Sequence, residues 1–249
     1  MAFKLEICVD SVESAINAQI AGADRVELCD NLIEGGTTPG YGTIVSARNN
    51  LDIGLHVIIR PRSGDFLYSD LEYDIMRRDI EACGECGVDG IVTGLLNAGG
   101  TVDVERTARL VEFAAPMTVT FHRAFDMCND PVRGLEDIIS SGTVRLLSSG
   151  QKDKATEGIE LLRQLVILAG DRLIVMPGGG IDESNVAQIA SYTMARELHL
   201  TGRMTVESGM IFRRPGISMG GIPGIPEFSR KVADPERIRN IITILKTLL

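Results

Sequence analysis

Patterns typical of a strand and of a helix alternate eight times along the 249 residues, which limits the fold more than any other feature. Strands are predicted at 3–9, 24–29, 54–61, 88–94, 117–122, 143–149, 171–177 and 196–201. Helices are predicted at 11–22, 43–50, 70–86, 104–114, 155–169, 183–192 and 235–248, with one more beginning at Asp130–Pro131. Eight such units close into a (β/α)8 TIM barrel, so we predict one α/β domain over residues 1–249.

The fifth strand separates this barrel from the alternative, an open doubly wound sheet. The stretch Met117–Asp126 reads MTVTFHRAFD, and alternate residues fall on opposite faces of the strand. One face is apolar, whereas the other carries Thr118, Thr120 and His122. Central strands of an open parallel sheet are apolar on both faces. The polar second face therefore favours the barrel, in which helices cover the outward, apolar side.

The same alternation assigns polar side chains to the barrel interior. The inward residues of strands one, two, three and eight are Lys4, Glu6, Cys8, Arg25, Glu27, Cys29, His56, Ile58, Arg60, Glu197, His199 and Thr201. Strands four, six and seven are ambiguous by this rule. Buried charges are costly unless they are paired, so we expect an internal ion-pair network, for example between Glu6 and Arg25. Residues at the carboxyl ends of the strands are better candidates for function.

An anion-binding mouth is the first functional prediction. Glycines at 178–180 follow strand seven, and the loops after strands seven and eight of such barrels often bind phosphate. Arginine side chains after strands three and five suit bidentate contact with phosphate or carboxylate. The predicted anion-binding residues are Arg60, Arg62, Asp65, Arg123, Ser148, Ser149, Gly178, Gly179, Gly180 and His199. Two alternatives remain: the glycines form a plain turn, and Asp65 and Asp126 simply pair with the arginines.

Two further groups of residues carry chemistry. His122 is a candidate general acid or base with Glu27 as its partner, although a lone barrel histidine is also typical of a structural residue. Cys8 and Cys29 occupy matching positions near the ends of adjacent strands, about 4.8 Å apart. Two thiolates suit Cu(I), while a disulfide and two buried thiols are the alternatives. The CxxC at 83–86 lies at the carboxyl end of a helix, where the dipole opposes thiolate formation.

Composition excludes several classes of function. The formal net charge is −9 and the pI is about 4.9, so nucleic acid is not an expected partner. The sequence contains no run of about 20 apolar residues, so we expect no membrane span. The start MAFKLEICVD does not have the pattern of a signal peptide. No nucleotide cofactor is evident from the motifs. Five cysteines without framework spacing indicate reduced thiols, and hence a cytoplasmic protein. A Gly/Pro-rich arm at about 202–231 is predicted to lack regular structure and to contact a partner subunit.

Several long motifs, in order, resemble the CutC family, which is named for copper homeostasis. They are LEICVDS, RVELCDNLIEGGTTPGYG, IIRPRSGDFLYSDLEYDIMRRDI, DGIVTGLL, TFHRAFDMC, SSGQK and SMGG. The resemblance implies a cytoplasmic TIM barrel, a homodimer or larger homo-oligomer, and copper handling with Cys8 and Cys29 as Cu(I) ligands. The sequence departs from the family pattern at Leu147 and at Leu200–Thr201, which affects the fine shape of the pocket.

Two hypotheses from different classes follow. In the first, the protein binds copper through Cys8 and Cys29. In the second, it is an enzyme acting on a small anionic substrate, for example a phosphorylated one. The rim arginines and the 178–180 loop hold the anion, while His122 and Glu27 move protons. Copper binding requires neither three rim arginines nor a triple glycine, so the rim residues favour the second hypothesis. The family resemblance favours the first hypothesis.

Overall fold

A computed structural model describes residues 2–219 and 224–249 and shows a parallel sheet of eight strands. The strands are β1 (Lys4–Val9), β2 (Arg25–Leu28), β3 (Gly54–Ile58), β4 (Gly90–Thr93), β5 (Thr118–Phe121), β6 (Arg145–Ser148), β7 (Ile174–Pro177) and β8 (Glu197–Leu200). The helices are α1 (Val12–Ala21), α2 (Tyr41–Asn50), α3 (Asp70–Glu85), α4 (Val104–Ala114), α5 (Pro131–Ser140), α6 (Ile159–Ala169), α7 (Val186–Thr193) and α8 (Pro235–Lys246).

The strand order closes the sheet into a barrel. The strands β1 to β7 pair consecutively in sequence order, and β8 pairs with the other edge of β1. A parallel bridge between Gly178 and His199 joins the ends of β7 and β8. The predicted TIM barrel is therefore confirmed, and the open doubly wound sheet is excluded.

Helix starts follow the local chemistry that the sequence indicated. Ser69 and Glu72 form a reciprocal capping box at the start of α3. Asp130 caps α5 through the amides of Val132 and Arg133, with proline in the first turn. These caps fix the residue at which each helix begins. The helices pack their apolar sides on the outward faces of the strands.

The prediction that the arm at 202–231 lacks regular structure is wrong at both of its ends. Strands β9 (Arg203–Glu207) and β10 (Ser229–Ala233) pair as an antiparallel hairpin. Most side chains of β9 are exposed, so no apolar alternation marked it as a strand. The base of β10 is held on α1, where the Asn17 amide donates to the Ala233 carbonyl at 3.0 Å. Residues 220–223, which include Gly220 and Gly221 of the SMGG motif, lie outside the described part of the chain.

None of the described helices is both long enough and apolar enough to cross a bilayer.

Candidate functional site

The middle of the barrel interior holds a network of four charged side chains. The guanidinium of Arg25 contacts the carboxylates of Glu6 and Glu197, the latter at 2.8 Å from Nη2 to Oε2. Arg145 Nε lies 2.7 Å from the same Glu197 oxygen. All four residues are buried. Because each charge faces an opposite one, their mutual attraction offsets much of the cost of removing them from water. We refer to Glu6, Arg25, Arg145 and Glu197 as the charge network.

The sequence prediction of the interior was incomplete on β6 and wrong at two strand ends. The alternation rule does not assign Arg145 inward because each face of β6 carries one polar and one apolar residue, Arg145 with Leu147 and Leu146 with Ser148. A single arginine within a strand that is otherwise buried was the available signal, since such a side chain needs a carboxylate nearby. Lys4 and Thr201, which were predicted to point inward, are exposed. They lie at the first position of β1 and just after β8, where the barrel is open to solvent.

Above the charge network, at the carboxyl ends of β1 and β2, the structure brings two thiols together. Cys8 Sγ and Cys29 Sγ are 3.7 Å apart, which is far longer than a disulfide bond of about 2.05 Å. One carboxylate oxygen of Glu27 lies within 4.8 Å of both sulfurs. All three residues are buried. We call Cys8, Glu27 and Cys29 the thiol cluster.

The loop after β2 covers the thiol cluster. Ile58 of β3 and Leu32 of this loop form the apolar wall around the two cysteines. Gly36 has a positive φ of 91°, and a Cβ there would lie 3.5 Å from Cys29 Sγ. Arg60 Nη1 donates to the carbonyls of Glu34 and Gly36 at 2.9 and 2.7 Å. The structure thus uses the buried Arg60, a predicted anion ligand, to fix the loop over the thiols.

His199 of β8 lies between the charge network and the thiol cluster. Its Nδ1 is 2.8 Å from Glu6 Oε1, and its Nε2 is 3.6 Å from Glu27 Oε2. Burial alone would lower the pKa of His199, but the adjacent Cys8 and Glu6 raise it well above its usual value. The hydrogen bond with Cys29, helped by His199, lowers the pKa of the Cys8 thiol, whereas burial raises the pKa of Cys29. Cys8 is therefore the more acidic thiol of the cluster, and Cys29 is the less acidic one.

His122 and Glu27, which were predicted to act as an acid–base pair, belong to different groups. His122 Nδ1 accepts a hydrogen bond from the Ala124 amide at 3.2 Å, and its ring lies 5.1 Å from that of Phe66. Burial and the charge of Arg60 lower the pKa of His122 to about 3, so the imidazole is neutral. Glu27 lies instead in the thiol cluster, where burial raises its pKa. No hydrogen bond or ion pair joins the two side chains among the described residues, so their pairing and the catalytic role of each residue stay predictions.

Arg62 and Asp65 contact each other on the rim. Arg62 Nη2 is 3.0 Å from Asp65 Oδ1, and Arg62 Nε donates to Glu72. The remaining Arg62 donors reach backbone carbonyls of the same loop. This is the alternative in which the aspartate pairs with the arginine, and it leaves Arg62 few donors for an anion.

The residues after β5 and β6 are likewise hydrogen-bonded to one another. Arg123 Nε is 2.7 Å from Asp126 Oδ2, and its Nη2 is 2.7 Å from Ser149 Oγ. Ser148 Oγ donates to Asp126 Oδ1 at 2.6 Å. The Asp126 carboxylate therefore organises both serines and the arginine. Anion binding by this group stays a prediction.

Each of the three histidines of the chain lies against a glycine of a neighbouring strand or strand end. A Cβ at Gly90 or Gly94 would lie 2.5 Å from an imidazole nitrogen, and one at Gly178 would lie 3.2 Å from the imidazole Cδ2. These glycines provide room that any side chain would fill. The pairs are His56 with Gly90, His122 with Gly94, and His199 with Gly178. Gly178, predicted to contact an anion, is thus a packing neighbour of His199.

Fold and site together define a class: a TIM barrel whose carboxyl-end mouth holds a pair of reduced, buried thiols beside a carboxylate. The chain belongs to the CutC family, whose model matches residues 3–204. The predicted family is therefore confirmed. The match ends within β9, so most of the hairpin and the whole of α8 lie beyond it.

Named relatives agree with this assignment. A CutC family protein of Chromobacterium violaceum is 52% identical over 235 residues, covering 94% of this chain and 95% of that protein. The human copper homeostasis protein cutC homolog is 44% identical over 247 residues, covering 99% and 90% of the two chains. The crystal structure of a putative copper homeostasis protein CutC from Streptococcus agalactiae superposes with a TM-score of 0.76 at 34% identity, covering 80% of this chain and 98% of that one.

Proposed function

We propose that this protein binds Cu(I) through the thiolates of Cys8 and Cys29 and acts in copper homeostasis, the role named for its human and murine relatives. The observation that carries the proposal is the 3.7 Å separation of the two sulfurs. Two metal–thiolate bonds of about 2.3 Å, the length known for zinc, span more than this distance, so both sulfurs can reach one ion.

The chemistry of the surroundings fits a soft monovalent ion. Cu(I) prefers sulfur to oxygen ligands, and the cluster offers two thiols. The apolar wall of Ile58 and Leu32 limits the access of water and oxidants. Glu27 is the one hard donor of the cluster, and burial raises its pKa. A soft ion prefers sulfur to a carboxylate oxygen, so the two sulfurs are the dominant donors.

The test is an anaerobic titration of the reduced full chain with Cu(I) in the presence of a competing chelator. We expect tight binding by the wild type and its loss in the Cys8→Ala/Cys29→Ala variant. The matched control is Cys83→Ala/Cys86→Ala, which also removes two free cysteines and should bind like the wild type. Equal loss in both variants, or none in either, contradicts the proposal. A parallel titration with Zn²⁺ tests the selectivity.

We also propose that the protein is a homodimer in which the arm contacts a second copy. The segment between β9 and β10 exposes large apolar side chains, among them Ile211, Phe212 and Met219. Sedimentation of the wild type against Ile211→Ser/Phe212→Ser is the measurement, with dissociation of the dimer as the expected result. A wild type that sediments as a monomer at micromolar concentration contradicts this proposal.

A further inference from the structure

A cavity lies beside the thiol cluster, over the loops that follow β7 and β8. It has a volume of about 530 Å³, within the range typical of small-molecule sites. Its walls come from the loop after β7 at Gly180, from the start of the hairpin at Arg203, and from Lys231 of β10. Leu32, which packs against the thiols, forms part of another wall. The cavity therefore shares one side chain with the cover of the thiol cluster.

Two cations on these walls lack a close anionic partner among the described residues. The nearest carboxylate oxygen to Arg203 is Asp10 Oδ2, at 3.9 Å from Nη1, which is beyond hydrogen-bond distance. The backbone of Lys231 pairs with β9, whereas its ammonium makes no hydrogen bond or ion pair within the described part of the chain. By contrast, Arg237 on the same cavity is paired with Glu183 at 2.7 Å. Arg203 and Lys231 are thus two cations of this cavity whose side-chain nitrogens have no described carboxylate oxygen within hydrogen-bond distance.

Backbone donors are available on the opposite wall. The amides of Gly180 and Ile181 donate to no backbone or side-chain acceptor among the described residues. Gly180 has a positive φ of 68°, directly after Gly179 at 101°, and such consecutive turns present amides to an anion. Asp182 also lines the cavity, and its Oδ1 accepts hydrogen bonds from the amide and the hydroxyl of Ser184.

We propose that this cavity binds the phosphate group of a small phosphorylated metabolite. Arg203 and Lys231 supply charge from the hairpin, and the amides of Gly180 and Ile181 supply hydrogen bonds from the barrel. Charge-assisted hydrogen bonds from a guanidinium and an ammonium are the standard means of holding a phosphate. The site goes beyond copper binding, and it uses cations other than the arginines predicted from the sequence. Arg60 already donates to the loop after β2, and Arg62 already donates within its own loop.

The test is calorimetric titration of the full chain with inorganic phosphate, with glycerol 3-phosphate and with glycerol. We expect saturable binding of at least one phosphate probe and none of glycerol. Arg203→Gln and Lys231→Gln should each weaken phosphate binding by roughly tenfold or more, since each removes a charge-assisted contact. Tighter binding of glycerol 3-phosphate identifies an ester as the ligand, and tighter binding of inorganic phosphate identifies the free ion.

The control is Arg213→Gln, which changes the net charge equally but removes a cation that lies outside the cavity and is paired with Glu207 at 3.3 Å. It should bind phosphate like the wild type. Absence of saturable binding, or equal weakening by Arg213→Gln, overturns the proposal. Cu(I) titration of Arg203→Gln should match the wild type, so failure of the anion site is distinguishable from failure of the thiol site. Circular dichroism melting verifies that each variant is folded.

Discussion

The charge network and the thiol cluster share one barrel interior, yet they satisfy their polar groups differently. In the network, Glu197 is contacted by Arg25 at 2.8 Å and by Arg145 at 2.7 Å, so opposite charges meet within a single layer. In the thiol cluster, two sulfurs contact each other and a carboxylate, without an arginine or lysine among their close described contacts. A buried polar side chain therefore does not by itself indicate a functional site. A functional site is indicated by buried donor atoms that are not used in an internal ion pair.

The largest effect should come from breaking the charge network. Glu197→Ala leaves Arg25 and Arg145 buried without their shared carboxylate, and loss of one partner in a buried pair costs about 3–5 kcal/mol. Urea unfolding measures it. The control is Glu136→Ala, which removes an exposed pair with Arg172 and should cost less than about 1 kcal/mol. Equal losses in the two variants would show that the network contributes no more than a surface pair.

An intermediate effect concerns pH and His56, whose Nδ1 lies 3.6 Å from Glu6 Oε2 of the charge network. Burial lowers the pKa of His56 from its ordinary 6.5 to about 4; the charge of Glu6 opposes this shift, and that of Arg25 adds to it. As the pH falls from 6.5 to 4, the unfolded chain gains a proton that folded His56 does not accept, so stability is lost over this window. Arg145 and Asp89 are the other charges that act on His56.

The variant His56→Gln checks this expectation. Its loss of unfolding free energy between pH 6.5 and pH 4 should be smaller than that of the wild type by about 1–3 kcal/mol, because one shifted group has been removed. Urea unfolding at several pH values measures the slope. An identical slope in the variant would mean that His56 takes up its proton equally well in the folded chain.

The smallest effect is expected at the rim, outside both regions. Asp65→Asn removes one of the two carboxylate partners of Arg62, on an exposed loop where ion pairs contribute at most about 1 kcal/mol. Thermal unfolding should therefore shift little, and binding of phosphate in the cavity at Arg203 should not change. A phosphate affinity that rises in this variant would instead place Arg62 at the anion site.

Much of the barrel and part of its chemistry were predictable before any coordinates. Strand alternation located Cys8 and Cys29 at matching positions, since neighbouring parallel strands repeat the same register. Register also made the Glu6–Arg25 contact predictable. The rim was harder, because the partner of an arginine there depends on loop geometry: Arg60 holds the cover of the thiols, and no local pattern revealed this. The β9–β10 hairpin was missed because it is largely exposed and carries little apolar periodicity.

The sequence by itself determined the eightfold alternation, the polar inner faces and the adjacency of the two cysteines, because these follow from short-range periodicity and from the order of the strands. Only the tertiary structure decided which charges are paired and which remain available. That outcome depends on distances between residues far apart in the chain, such as Glu6 and His199 at 2.8 Å, or Arg203 and Asp10 at 3.9 Å. The interaction energy of two charges depends on the distance between them, and the spacing of residues in the sequence does not encode that distance.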